Sequence, residues 1–523
     1  MSINKSIITL TFLNFLGVMV TLAASIITVY YFGTSRSIEI FFAASSLQAL
    51  AISLSQSGQI NEILIPMYHR LGKSEGATSA HTAYSVAINW AIIALGFIAL
   101  ALWLLAPWAA NIIVPGFEAA DRESVVLMFR WILPLLPLQV TIALLQGVAN
   151  AEHSFGRVEA YNILGQLAGL GCIVFFSSTL HTWAMVLSLW VSQTIILGTY
   201  VVMLHKIGFR YRAAISHPSM SWRGLTGKMG MTFLYAGATQ VYALVFSAGL
   251  SLLPQGTFAT FNYVTRLYSK INSMLLRPVS TVFFTHFSKA FTNNEGLVHL
   301  VKAALERTLT IGFLMTAVIS CSAYSIIKLM WGSKLFSAEY LNLAAHLMTL
   351  FMLMLLMSGV GQVLRKLLIA NGSIWQVYLS LTLTQIFSAI LAFILPKTFG
   401  VNGAMAMLII NSALTVLICA LLLRNKMPHL KSFYPIREFN KWIVVCILAA
   451  SGGMLIESQL MGIATQPQSR LFAGVTAVSA GVVALLLACL FAWILRIGDM
   501  LKLTQSFINR LTLFFKNQQK GIH

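Results

Sequence analysis

Apolar runs of about twenty residues or more follow one another along almost the whole chain, and no other feature constrains its fold so much. A helix needs about 20 residues to cross the ~30 Å hydrocarbon core of a bilayer. Hydropathy and helix breakers mark fourteen candidate spans: 5–31, 38–66, 82–113, 123–150, 158–178, 183–204, 227–252, 258–288, 304–330, 340–370, 374–396, 401–423, 440–461 and 471–496. Gly33, Pro115-Gly116, Gly256 and Asn371-Gly372 fall between spans and Asn402-Gly403 at the start of one, where the chain must turn. Charged residues make up only 9% of the chain, against roughly 25% in an average soluble protein. The expected class is therefore an all-α integral membrane protein, and soluble enzymes or nucleic-acid binders fit poorly.

The 34 Lys and Arg against 14 Asp and Glu, net +20, fall unevenly between the connections. With the N-terminus inside, inner connections hold Lys5, Arg70, Lys73, Arg157, Lys206, Arg210, Arg212, Arg223, Lys228, Lys289, Lys302 and Arg307, and later Arg424, Lys426, Lys431, Arg437 and Lys441. The outer ones hold Arg36, Arg122, Lys328, Lys334, Lys397 and Arg470. That alternation places both termini in the cytoplasm, with the chain crossing its membrane many times. The first apolar run has no small-residue cleavage site and reads as a first helix. Five cysteines sit in apolar runs without a CxxC and read as small buried residues.

Lys5 leads a span ending at Gly33, Lys228 one ending at Gly256, and Glu75-Gly76 is echoed by Glu295-Gly296. This faint repeat suggests two six-helix halves, 1–210 and 225–425, then a helix pair at 440–496. Repeats of this kind are common in transporters, with the substrate site between them. In the tail, 499–523, Met500, Leu503, Phe507, Ile508, Leu511, Phe514 and Phe515 recur at helical steps opposite Lys502, Arg510 and Lys516. It is expected to lie as a basic amphipathic helix on the inner leaflet.

Ionisable groups inside hydrocarbon are functional candidates by default. On the eighth span Asn262, Arg266, Lys270, Ser273 and Arg277 follow at steps of four, four, three and four, one helical face. Stacked cations need a wet cavity or an anion, and a diphosphate answers that need with several charge-assisted hydrogen bonds. Interfacial snorkelling is the alternative reading of Lys270 and Arg277. Glu39 and Glu62 on the second span are candidates to pair with these cations or carry a proton, although a headgroup-level acid at a helix start explains Glu39 as well. Arg365-Lys366 extends the inner basic surface. There is no HExxH, GxSxG, Walker loop or paired-carboxylate loop, so neither an enzyme nor a cofactor is expected.

The stretch Phe32-Gly33, Glu39-Ile40-Phe41-Phe42, Gly58 and Pro66 resembles the helix 1–2 region of the MviN/MurJ family of lipid-linked glycan flippases. Pro115-Gly116-Phe117 is similar to its PGF, Gly147, Asn150 and Phe155 to the end of its fourth helix, Tyr263 to Leu267 to its Y-x-x-R-L, Ser288-Lys289 to its S-K, and Gly332 to Phe336 to its G-x-F segment. The resemblance implies two six-helix halves around a cavity, a lipid-facing groove on helices 13 and 14, and alternating access that turns a polyprenyl-diphosphate-linked glycan outward. It also implies that Arg266 holds the diphosphate and that Glu39 stands where the family has aspartate. Members that carry the peptidoglycan precursor have arginines where this chain has Val18, Ala24 and Ile52 or Ser53. The aspartates of a sodium-type site in some members are answered by Gln240, Thr384, Gln385 and Asn411.

The expected function is thus a flippase for either lipid II or an exopolysaccharide repeat unit. Glycosyltransferases or a polymerase of the pathway are candidate partners, and nucleic acid is not. A drug or metabolite antiporter and a non-transporting scaffold are the rivals. Cationic substrates would want acids where the eighth span offers cations, and a scaffold would leave those cations dispensable.

Overall fold

The computed structural model describes residues 3–56, 59–152, 154–218, 222–293, 296–427, 436–463, 469–495 and 497. The expected amphipathic tail lies outside them. Among the described residues there are seventeen helices and no strand. They are α1 (Ile3–Phe32), α2 (Arg36–Gln56), α3 (Gln59–Ser74), α4 (Ala77–Leu104), α5 (Ala106–Ile113), α6 (Ala119–Ile132), α7 (Leu135–Ala151), α8 (Phe155–Leu180) and α9 (Trp183–Ile207). Then come α10 (Trp222–Ser251), α11 (Thr257–Asn293), α12 (Leu297–Cys321), α13 (Ala323–Trp331), α14 (Ala338–Ala370), α15 (Ile374–Lys426), α16 (Ile436–Ile463) and α17 (Arg470–Ile494). Ten stretches among the described residues are long and apolar enough to cross a bilayer.

The span 38–66 falls on α2 and α3, and three others expected to be continuous are each two helices. The 82–113 run breaks at Leu105, where Pro107 sits in the first turn of α5 and its missing N–H costs nothing. The 123–150 run breaks at Leu133-Pro134. The 304–330 run breaks at Ser322 with no proline; there Glu457 of α16 accepts the Ser325 backbone N–H at 3.1 Å and the Ser325 hydroxyl, satisfying groups the break leaves open. The two runs 374–396 and 401–423 both fall within α15, whose backbone leaves the helical conformation at Gly400 (φ 60°, ψ −139°), so two helical stretches meet there.

Joints 219 positions apart share their backbone. Glu118 (φ −64°, ψ 161°) matches Ser337 (φ −63°, ψ 160°) ahead of α6 and α14. Ser154 (φ −91°, ψ 30°) matches Ser373 (φ −79°, ψ 32°) ahead of α8 and α15. His181 (φ 48°, ψ −133°) matches Gly400 (φ 60°, ψ −139°). The last conformation suits glycine alone and strains a residue with a Cβ by ~1–3 kcal/mol. Because the His181 side chain is exposed, His181→Gly is expected to stabilise the protein by ~1 kcal/mol after the extra chain entropy of glycine, whereas Gly400→Ala costs ~1–3 kcal/mol. Thermal unfolding of the purified protein checks both, and a lower midpoint for His181→Gly would show that the imidazole holds the turn.

Contacts divide the chain into two compact units, Met1–Tyr263 with Leu381–Met407, and Val264–Ser380 with Leu408–His523. In the first, Gly165 and Gly169 on α8 let α9 approach until a Cβ at either would lie within 3.0 Å of Ser192 or Ser188, the close packing that small residues four apart permit in membranes. The segment after α9 lies along α4: Asn89 Nδ2 donates to the carbonyls of Arg212 (3.3 Å) and Ala214 (2.7 Å), and Trp90 Nε1 to that of Ile215 (2.9 Å). In the second unit, α12 and α14 are tied by Thr316, whose hydroxyl donates to the Met352 carbonyl at 2.9 Å. A stripe of buried alanines, Ala473, Ala477, Ala480, Ala484, Ala488 and Ala492, turns the other face of α17 outward with Leu471, Val475, Val478 and Trp493 exposed.

Candidate functional site

Three short motifs far apart in sequence meet at the turn between α10 and α11, all inside the first unit. Glu39, in the first turn of α2, is fully buried. Its Oε1 accepts the backbone N–H of Gly256 at 2.7 Å and of Ala259 at 3.3 Å, so the carboxylate caps the N-terminus of α11. Its Oε2 takes Arg36 Nη1 at 2.8 Å. Arg36 also reaches Asp121 at 3.3 Å and lies 4.3 Å over the ring of Phe117. A buried carboxylate is tolerable only when both oxygens are answered this way.

The glycines of the turns make the junction possible. Gly33 and Gly256 adopt φ 52° and 92°, which lets α1 and α10 reverse without strain. Tyr263 donates to the Gly33 carbonyl at 3.0 Å and meets Phe42 edge to face at 5.1 Å. Gly116 presses against the end of α10: a Cβ there would stand 2.1 Å from the Ser251 carbonyl oxygen, so no side chain fits. Its neighbour Phe117 packs edge to face on Phe258 at 6.0 Å.

From this cap α11 runs for 37 residues, about 55 Å at ~1.5 Å per residue. Val264, Leu267, Tyr268 and Leu276 are buried. Thr265, Arg266, Ser269, Lys270 and Ser273 are exposed, with Met274 the apolar exception on that side. Elsewhere exposed faces are what lipid requires: Ile92, Ile93, Phe97, Leu100 and Leu104 on α4. An exposed face carrying two cations and three hydroxyls faces water instead. Arg266 and Lys270 lie one turn apart, with Cβ atoms ~5–6 Å from each other, a spacing suited to neighbouring phosphates.

Of the expected residues, then, α11 brings Asn262, Arg266 and Lys270 onto one helix above the Glu39 cap. Asn262 is half-buried and spends its Nδ2 on the Phe258 carbonyl at 2.9 Å. Glu39 is held by Arg36 and by main chain at the head of α11. Gln240 is buried on α10. The side chains of Arg277 and Glu62 lie outside the described residues. Arg365 and Lys366 are half-buried on α14, Lys366 5.9 Å over the Phe284 ring.

Sequence reading passed over Arg36, Asp121 and Glu457. Arg36 and Glu39 stand three apart, the spacing of a helical ion pair, and that was the available signal. Among the described residues no three His, Cys, Asp or Glu converge as metal ligands would, and the five cysteines are unpaired.

A family model described as lipid II flippase MurJ matches residues 28–497. A protein of Buchnera aphidicola subsp. Acyrthosiphon pisum (strain APS), named probable lipid II flippase MurJ, is 22% identical over 309 residues. That match takes in 57% of this chain and spans 59% of the relative. Among solved structures, a lipid II flippase MurJ in an inward closed conformation superposes with a TM-score of 0.72 at 15% identity, over 94% of this chain and 99% of that one. An inward-facing multidrug resistance MATE family transporter of the MOP superfamily superposes at 0.63 and 15% identity, over 79% and 95%.

Proposed function

The chain belongs to the family described as lipid II flippase MurJ, and from that premise we propose that it turns a polyprenyl-diphosphate-linked glycan from the inner to the outer leaflet of the bacterial cytoplasmic membrane by alternating access. The observation that carries this is the exposed face of α11, where Thr265, Arg266, Ser269, Lys270 and Ser273 replace the apolar surface that lipid would demand. A glycan headgroup crossing hydrocarbon unaided loses its hydration at ~1–3 kcal/mol for each unpaired hydroxyl. A wet face restores those bonds while the polyprenyl tail stays in lipid. Arg266 and Lys270 answer the diphosphate, and Asn262 and Gln240 are the candidate neutral contacts. The membrane potential helps, since moving one negative charge outward is favoured by ~2.3 kcal/mol per 100 mV.

Fourteen spans in two six-helix halves, 1–210 and 225–425, with helices 13 and 14 at 440–496 and both termini inside, complete the reading. The joints repeated 219 positions apart support the halves, and the alternating loop charge supports the orientation. A multidrug antiporter with cationic substrates is disfavoured by the two cations of α11.

The glycan is either lipid II or an exopolysaccharide repeat unit, and Val18, Ala24 and Ile52 or Ser53, where arginines would serve lipid II, favour weighing the second seriously. Mass spectrometry of polyprenyl-linked intermediates after depleting the protein decides. Lipid II accumulating with lysis assigns the cell-wall precursor. Another lipid-linked oligosaccharide accumulating in viable cells that lack a surface polymer assigns that pathway. Unchanged pools of both would overturn the flippase reading.

A further inference from the structure

Some members of the family that the sequence resembles have a sodium-type site on helices 7, 11 and 12 whose aspartates this chain lacks, and the first unit holds the matching parts of α10 and α15. The two helices touch where Gly249 meets α15: a Cβ at Gly249 would lie 2.5 Å from the Ala392 carbonyl oxygen and 3.0 Å from Pro396 Cγ. Gln385 and Ser388 stand seven and four residues before Ala392 and share its face. Tyr242 stands seven residues before Gly249 and shares its face. On the topology expected for spans seven and eleven the two helices run the same way, so equal steps of seven from the contact put Tyr242 and Gln385 at one level.

Four oxygens here are buried and have no hydrogen-bond partner: Tyr242 Oη, Thr382 Oγ1, Gln385 Oε1 and Ser388 Oγ. Thr382, Gln385 and Ser388 are 3%, 4% and 0% exposed. Oxygen atoms left open at such depth call for a guest, because an unpaired buried polar group is costly. Water and a small hard cation are the two guests that oxygen ligands accept. Charge decides between them. Neither α10 nor α15 carries a single Asp or Glu, and the nearby Glu39 is already spent on Arg36 and the α11 N-terminus. A cation placed there would be a buried, uncompensated charge in a chain already at +20.

We infer that Tyr242, Thr382, Gln385 and Ser388 form an uncharged site that holds water and takes no sodium, so that this chain works without the sodium coupling that an acidic site at this place would allow. The consequence for transport rests on the flippase reading; the binding property does not, and it is tested without transport. Thermal unfolding of the full-length protein in detergent, titrated with sodium chloride against choline chloride at constant ionic strength, is expected to show no sodium-specific change in the wild type. Gln385→Asp supplies the missing charge and is expected to raise the midpoint by about 2 °C or more, saturably, with sodium alone. Ser388→Asp is the second variant should Gln385→Asp fold poorly. A saturable sodium-specific rise in the wild type overturns the inference. So does a flat response from both aspartate variants when they are folded, since the oxygens would then not converge. Failure of the flippase reading would show in the lipid intermediates and leave these midpoints untouched.

Discussion

Arg266→Ala is expected to abolish export of the lipid-linked glycan while leaving the protein at its normal level in the membrane. The side chain lies on the exposed face of α11, so its removal opens no cavity in the packed core. Losing one partner of a desolvated, charge-assisted pair costs ~2–5 kcal/mol, a drop of roughly 30- to 4,000-fold in transition-state or substrate affinity. Arg266→Lys keeps the charge but not the planar fork, and an intermediate loss is expected. Lys270→Ala should cost less than Arg266→Ala, since an ammonium grips phosphate as a point charge. Flipping followed in reconstituted vesicles, with protein level checked by immunoblot, measures all three. Normal export by Arg266→Ala would remove the diphosphate role from α11.

Glu39→Ala strikes at the fold rather than at the substrate. It uncaps α11, strips Arg36 of its 2.8 Å partner and leaves two buried N–H groups unanswered. Breaking a buried ion pair from one side costs ~3–5 kcal/mol, so the midpoint of thermal unfolding is expected to fall by several degrees and export to fall with it. Arg36→Ala should cost less, because it leaves the carboxylate its two backbone donors. The double variant should recover part of the loss, as coupled neighbours do. If Glu39→Ala unfolds at the wild-type midpoint, the junction contributes nothing to stability.

Much of the fold is legible in the sequence because lipid is an exacting solvent. Each apolar run expected to span the bilayer falls on helix, and the four-, four- and three-residue steps suffice to put Asn262, Arg266, Lys270 and Ser273 along one side of α11. The breaks are legible only where proline marks them, at Pro107 and Pro134. At Ser322 the chain stops its helix because a carboxylate 132 positions beyond Ser325 is there to receive it, and no local pattern records that. Glu39 is ambiguous in sequence for a related reason. Its partners on α11 are main-chain N–H groups, which every residue but proline owns. His181 hides a glycine-like backbone behind a side chain that gives no warning of it.

The main-chain half of that junction has a genetic consequence. Gly256 and Ala259 contribute N–H groups and not side chains, so position 259 is held only by the room around a fully buried Cβ and position 256 only by its φ of 92°, while position 39 is held to an acid of the right reach. A screen for suppressors of a Glu39 lesion should therefore find few compensating alleles on the α11 side, and an alanine scan of that turn, which leaves both N–H groups in place, would report the backbone strain at Gly256 and miss the contact itself. Proline, which alone deletes the donor, is the allele that would speak.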